Sequence, residues 1–311
     1  MMTPTHKLNI ALIQFLPKPL SPEANFAVAD RNLRSAARQG CHLAVLPEFH
    51  LTSWVPDNPD FAASCRDSLP YLERYQALAR ELHIHIVPGT LVKPVELPPD
   101  DDNRGREPDH ATELHNLAYF IAASTGDILA TYQKKNLWHE ERGVLTAGKH
   151  APHRAFDLPL PDPDGSGAGA AGVVRAGLLI CWDLAFPEPF RELVADGAEL
   201  VIVPSFWDIT GIERRVLSLN RESEAVFLDA TTVSRAFENT CAVALCNAFG
   251  SSQVAVPILG SLGKLGTGEE GIVFGEVDFD TVRYAEEYYK VRADLQGEEW
   301  HYTRSATLPP K

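Results

Sequence analysis

The chain has no run of about 18 apolar residues, so nothing in it reads as a helix crossing a bilayer. It has no basic excess. Against 42 Asp and Glu there are 28 Lys and Arg, a formal net charge of -14, which argues against a nucleic-acid face. No C-x-x-C pair is present. Cys41, Cys65, Cys181, Cys241 and Cys246 are odd in number and irregular in spacing, so neither a disulfide framework nor a zinc site is expected. The opening M-M-T-P-T-H-K-L-N-I lacks the apolar core of a signal peptide. Gly260–Gly275 is glycine-rich and irregular, but Gly263 and Gly266 stand at the wrong offsets for a phosphate-binding fingerprint. No internal repeat stands out. These absences favour a cytoplasmic setting that keeps thiols reduced, with no nucleic-acid or membrane partner.

What is present reads as a large α/β protein. Of 311 residues, 45% are hydrophobic and 23% charged, an ordinary globular balance. Buried strands are expected at Leu8–Phe15, His42–Leu46, His83–Val87, Glu199–Pro204 and Thr240–Asn247, and a last strand at Ile272–Asp278. His115–Ala123 and Ile128–Gln133, joined by Ser124-Thr125-Gly126-Asp127, read as a hairpin. Helical spacing marks Ala24–Gln39, Tyr71–Leu82, Pro187–Asp196, Arg214–Asn239 and Thr281–Arg292. Pro94–Thr112 and Leu158–Gly172 read as loops. Strand–helix alternation implies a layered sheet.

The strongest stretch is Val173–Glu188, V-V-R-A-G-L-L-I-C-W-D-L-A-F-P-E. Its apolar run reads as a doubly buried strand with Cys181 at the carboxyl end, where open α/β sheets place their sites. A free cysteine is usually a small buried hydrophobe, so the chemical reading needs partners. Three other strand ends offer them: Glu48 after Pro47, Lys134 after the hairpin, and Glu141 seven residues on. Together they supply what hydrolysis at a carbon–nitrogen bond requires. Only a thiolate attacks well, and Glu48 can take the thiol proton and return it to the leaving nitrogen. Lys134 and the backbone N–H of Trp182 can stabilise the developing anion. Glu141 can hold Lys134 or orient the water that breaks a thioester.

The segments themselves resemble the nitrilase superfamily of carbon–nitrogen hydrolases from about residue 8 to about 280. Pro47-Glu48 follows the second strand. Y-Q-K-K-N-L is similar to Tyr-x-Lys-x-His-Leu, which places the lysine at Lys134 and leaves Asn136 where many members have His. E-R-G-V-L-T-A-G places the second glutamate at Glu141. C-W-D-L-A-F-P-E gives Cys181, and R-A-F-E-N-T (Arg235–Thr240) resembles R-A-x-E-N. The resemblance implies a four-layer α-β-β-α sandwich, a Glu-Lys-Cys triad, no metal or other cofactor, and a homodimer or larger assembly. It also implies one domain over 1–311, with a tail from about 281 that offers little signal.

Cys181-Trp182-Asp183 leans to an amidase of a small amide, with a nitrilase as the alternative. Trp54, Trp138, Trp182 and Trp207, with Ser205, are candidate substrate or oxyanion contacts, the tryptophans forming an aromatic wall for an uncharged amide. A metallo-amidohydrolase would instead use His83 and His85, which as H-x-H on a strand share one face. A non-catalytic binding protein of the same fold is the remaining alternative.

Overall fold

The computed structural model describes residues 6–97, 112–149, 151–161, 172–209, 212–298 and 300–301. Its first half runs β1 (Lys7–Gln14), α1 (Pro22–Arg38), β2 (Leu43–Val45), α2 (Phe61–Asp67), α3 (Tyr71–Leu82), β3 (His85–Val87), β4 (Thr90–Glu96), β5 (Thr112–Ile121) and β6 (Ile128–Gln133). The second half runs β7 (Phe156–Pro159), β8 (Val173–Leu178), α4 (Pro187–Ala195), β9 (Leu200–Ser205), α5 (Arg214–Leu219), α6 (Ser223–Glu238), β10 (Ala242–Asn247), β11 (Gln253–Val256), β12 (Gly260–Lys264), β13 (Gly271–Asp278), α7 (Phe279–Tyr289) and α8 (Val291–Gln296).

Side-chain alternation shows the layers. Successive strand residues face opposite sides of a sheet, so a strand buried on both faces feeds two cores. In β1, Leu8, Ile10 and Leu12 enter one core while Ala11 and Ile13 join Phe26, Leu33, Tyr75 and Leu78 of α1 and α3. In β9 and β10, Leu200, Ile202, Ala242, Ala244 and Cys246 enter that same first core. Val201, Val203, Val243 and Leu245 instead pack on Phe190, Leu193, Leu228 and Ala236 of α4 and α6. The shared core therefore lies between two sheets, with helices outside each: a four-layer α-β-β-α sandwich. Full burial of each such aliphatic side chain is worth roughly 1.5–3 kcal/mol.

Among the described residues, one sheet has the order β13-β1-β2-β3-β5-β4 with β6 paired to β5, and the other β12-β11-β10-β9-β8-β7. Parallel pairing of β1, β2 and β3, and of β8, β9 and β10, brings their carboxyl ends to one edge. The Cys246 thiol, 3.2 Å from the Val45 carbonyl and 3.4 Å from that of Ile13, stitches the two sheets together.

Several expected boundaries differ. Arg214–Asn239 is two helices, because Asn220 is extended and its side chain accepts from the Glu222 amide. Pro94 lies inside β4, which tolerates it because β4 is a sheet edge; residues 98–111 of that expected loop lie outside the described residues. Leu158 and Pro159 belong to β7, and residues 162–171 are likewise outside. Gly260–Gly275 holds β12 and the start of β13, whose small residues hid the period. His83 caps α3 in a left-handed conformation and is not part of a strand.

Gly89, between β3 and β4, has a φ of 57°, and a Cβ there would sit 1.9 Å from the Pro47 carbonyl oxygen. Gly89→Ala should therefore cost more than about 1 kcal/mol in urea unfolding. An unchanged midpoint would mean that the turn carrying Glu48 yields freely.

Candidate active site

Glu48 follows β2, where the chain turns sharply enough to place Phe49 and Ser53 at φ of 50° and 59°. Its carboxylate is wholly buried. Oε1 accepts from Lys134 Nζ at 2.9 Å and from Asn116 Nδ2 at 2.8 Å, and Oε2 accepts from the Phe206 amide at 3.0 Å. The Glu48 amide in turn donates to the Ser205 carbonyl, at 3.3 Å, so this residue joins the two sheets.

Lys134 leaves β6 with its amide on the Asn116 carbonyl and its own carbonyl receiving the Gly148 amide. The side chain is 1% exposed and its ammonium donates to Glu141 Oε1 at 2.6 Å as well as to Glu48. Burial works against its charge, but Glu48, Cys181 and Glu141 outweigh burial and raise its pKa above the ordinary lysine value. Glu141 sits in a short 3-10 turn, His139–Glu141, with Oε2 receiving the Trp138 amide at 2.7 Å. Two carboxylates share one ammonium here. Burial first, then the neighbouring Glu48 charge, lifts Glu141 to about 7 against the pull of Lys134.

Cys181 opens a 3-10 turn, Cys181–Ala185, directly beyond β8, with a left-handed φ of 46°. Such strain in a non-glycine residue clusters at functional sites. Burial and then Glu48 push its thiol above the usual range, with Lys134 and the Ser205 hydroxyl opposing. The thiol therefore sits within electrostatic reach of all three charged groups. The buried Ser205 hydroxyl lies beside it without a well-aligned hydrogen bond to any group. A thiol held neutral must lose its proton during attack, which calls for a base at hand.

Glu48, Lys134, Glu141, Cys181 and Ser205 thus meet where the two sheets face each other. The tryptophans divide. Trp138, Trp182 and Trp207 form a continuous row, with ring centroids 4.4 and 5.0 Å apart, extended by Phe227 at 5.5 Å. Trp54 instead stacks on Phe49 at 4.9 Å and meets Phe61; Phe49 leads on to Phe206 and Phe249. A cavity of about 640 Å³ opens beside β6 and β7, lined by Tyr132, Lys135, Phe156 and Leu178 among others. None of the four charged or thiol groups lines it.

Asn116 was not legible in advance: an Asn in mid-strand carries no periodic or motif signal. The H-x-H alternative does not survive. The His83 ring bonds Ser124 near the surface, while the His85 ring is buried between the Ala123 amide and the Pro159 carbonyl. The two therefore share no strand face. Among the described residues no group of three or more His, Cys, Asp or Glu could hold a metal ion.

The architecture is that of an α/β sandwich, with a buried thiol, ammonium and two carboxylates gathered where its sheets face each other. The chain belongs to the carbon-nitrogen hydrolase family, whose model matches residues 9–287. It is 24% identical over 300 residues to a 2-oxoglutaramate amidase of Bacillus subtilis, covering 93% of this chain and 98% of that one. It is 28% identical to a deaminated glutathione amidase of Bos taurus and 25% to a nitrilase of Pyrococcus abyssi. Those two matches cover 65% and 64% of this chain but only 57% and 64% of the relatives, less than two thirds of their length. Among solved structures, an amidase from Nesterenkonia sp. superposes with a TM-score of 0.67 at 25% identity, covering 93% of this chain and 97% of that one. The C. elegans NitFhit protein shares the fold with a TM-score of 0.74 at 22% identity, covering 96% and 67%.

Glu141 can share Lys134 fully only as a carboxylate. As pH falls through about 7 it takes a proton and releases that hold, so kcat/KM of the free enzyme should drop below pH 7. Glu141→Gln should erase this acid limb and lower kcat/KM. A limb persisting unchanged in that variant would assign it to another group.

Proposed function

We propose that the protein is an amidase, releasing ammonia or an amine from a small amide through a cysteine thioester. The observation that carries this reading is the shared ammonium: Lys134 bridges Glu48 and Glu141 beside the Cys181 thiol. Cys181 Sγ adds to the amide carbonyl carbon as its proton passes to Glu48. Lys134 and the Trp182 amide stabilise the oxygen anion. The carbon–nitrogen bond then breaks, and the proton on Glu48 leaves with the nitrogen. Water adds to the thioester carbon, Glu48 takes its proton, and the thiol departs reprotonated, leaving the carboxylic acid. Glu141 holds Lys134 through both half-reactions.

Amide chemistry is favoured over nitrile chemistry by the relatives. Several are described as amidases, and one Nesterenkonia amidase mutant shows covalent addition of the acetamide moiety of fluoroacetamide at its active-site cysteine. The row of Trp138, Trp182 and Trp207 suits an uncharged acyl group, with Ser205 as a further contact, while Trp54 backs the turn that carries Glu48. The five cysteines are all unpaired and buried, which suits a reducing, cytoplasmic compartment. No helix of the described residues is long and apolar enough to cross a membrane. One hydrolase domain spans the chain and works as a homodimer or larger assembly.

A panel of aliphatic, aromatic and carboxylate-bearing amides, with matching nitriles, should release ammonia from the uncharged amides. Cys181→Ala should abolish this with the melting curve intact. Glu48→Gln and Lys134→Ala should each cost roughly 10³-fold or more in kcat/KM. Full activity in Cys181→Ala, or turnover of nitriles alone, would refute the assignment.

A further inference from the structure

We propose that Asp183 is the positioning residue that sets the Cys181 turn in register with Lys134, and that Asn136 and Tyr132 hold it there. The inference rests on the Glu48–Lys134–Cys181 reading above. It concerns how the thiol, from one sheet, comes to face the ammonium from the other.

Tyr132 lies near the end of β6, and Lys134 and Asn136 lie in the segment that directly follows it. The middle residue carries the ammonium. The two outer residues both grip one side chain, the wholly buried Asp183. Asp183 Oδ2 accepts from the Tyr132 hydroxyl at 2.8 Å, and Oδ1 accepts from the Asn136 amide at 3.0 Å and from Asn136 Nδ2 at 2.8 Å. The remaining bond runs back along its own turn: the Ile180 amide donates to Asp183 Oδ2 at 2.9 Å. Ile180 and Asp183 flank Cys181, so this loop closes around the strained residue and fixes the direction of its side chain.

A second mooring reaches the helix that follows. The Tyr132 hydroxyl also contacts His153 Nε2 at 3.2 Å, and His153 Nδ1 contacts Glu192 of α4 at 2.8 Å. Both the turn and the helix behind it are tied to the hairpin that supplies the cation. Both oxygens of the buried Asp183 accept two bonds each, whereas an amide in its place would turn its N–H groups toward one of those two donor pairs. Asn136 offers a short side chain and its backbone amide together, a two-point donor to one carboxylate oxygen.

The test uses the 311-residue chain and the amide of the panel that it turns over fastest. Asp183→Asn should lower kcat about 100-fold with KM within about threefold, since a displacement near 1 Å costs on that order. It should also slow alkylation of Cys181 by iodoacetamide about tenfold, while leaving the Glu141 acid limb in place. Asn136→Ala should lower kcat about tenfold, and Asn136→His, which restores a side-chain N–H donor, should recover it to within about threefold. If Asp183→Asn does not fold, the Asn136 pair decides alone. A kcat within threefold of the parent in folded Asp183→Asn or in Asn136→Ala, or no gain from Asn136→His over Asn136→Ala, would overturn the inference. Cys181→Ala separates the two levels: if it is active the triad reading itself fails, and if it is dead while Asp183→Asn is normal only the positioning role fails.

Discussion

A single ammonium group, removed from solvent, holds this site together. Lys134 sits almost wholly buried between two carboxylates, with a thiol beside it. An unpaired ion in such a place would cost several kcal/mol, so each charge is tolerable only while the others are present. The arrangement is also unbalanced: one cation faces two potential anions and a third potential anion in Cys181. Burial, reinforced by that imbalance, keeps the thiol neutral and leaves Glu141 close to its titration point near neutrality. The site is therefore one electrostatic unit, in which Lys134, Glu141 and Cys181 each feel the charges of their neighbours.

The sandwich exists in the form needed to make that unit. Glu48 comes from the end of β2 in one sheet, and Cys181 and Ser205 from the ends of β8 and β9 in the other. Aliphatic residues alternating along β1, β9 and β10 build the core between the sheets, and the outward positions seat the helices. The packed core fixes the separation of the two sheets. Glu48 then spans the seam with one oxygen on Lys134 and Asn116 and the other on the Phe206 amide. Its backbone bond to Ser205 repeats the tie. Close packing leaves little play in such a seam, which is what a reaction between groups from different sheets demands.

Around this centre the aromatic side chains form two groups with different tasks. The Trp138–Trp182–Trp207 row runs from the turn holding Glu141, across the Cys181 turn, to the end of β9, and Glu224 on α6 accepts from the Trp207 indole at 2.7 Å. The Trp54 cluster backs the turn that carries Glu48 and packs with Phe61 and Leu137. Tryptophans near one site in sequence thus divide between a wall that crosses the reactive segments and a support behind one of them.

Much of this was visible in the chain. Alternating and continuous apolar runs marked nearly every central strand, and helical spacing found α1, α3 and α4 to within a residue or two. Three strands escaped: β11 and β12 are short or rich in small residues, and β4 contains a proline, so their patterns are too weak to read. Glu48, Lys134 and Cys181 stood out because each closely follows a strand, a local feature, and Glu141 because it lies a few residues beyond Lys134. Their partners did not. Asn116 lies 68 positions from Glu48, and Asp183 lies 47 from Asn136, with no periodicity connecting them. The sequence by itself determined which segments become strands and which side chains can do chemistry, because propensity and polarity act over a few neighbouring residues. Only the tertiary structure decided which oxygen accepts which proton, how far the Glu141 carboxyl is lifted, and that His83 and His85 part company. Those outcomes depend on distance and burial between segments remote in the chain, and neither quantity exists until the sheets have packed.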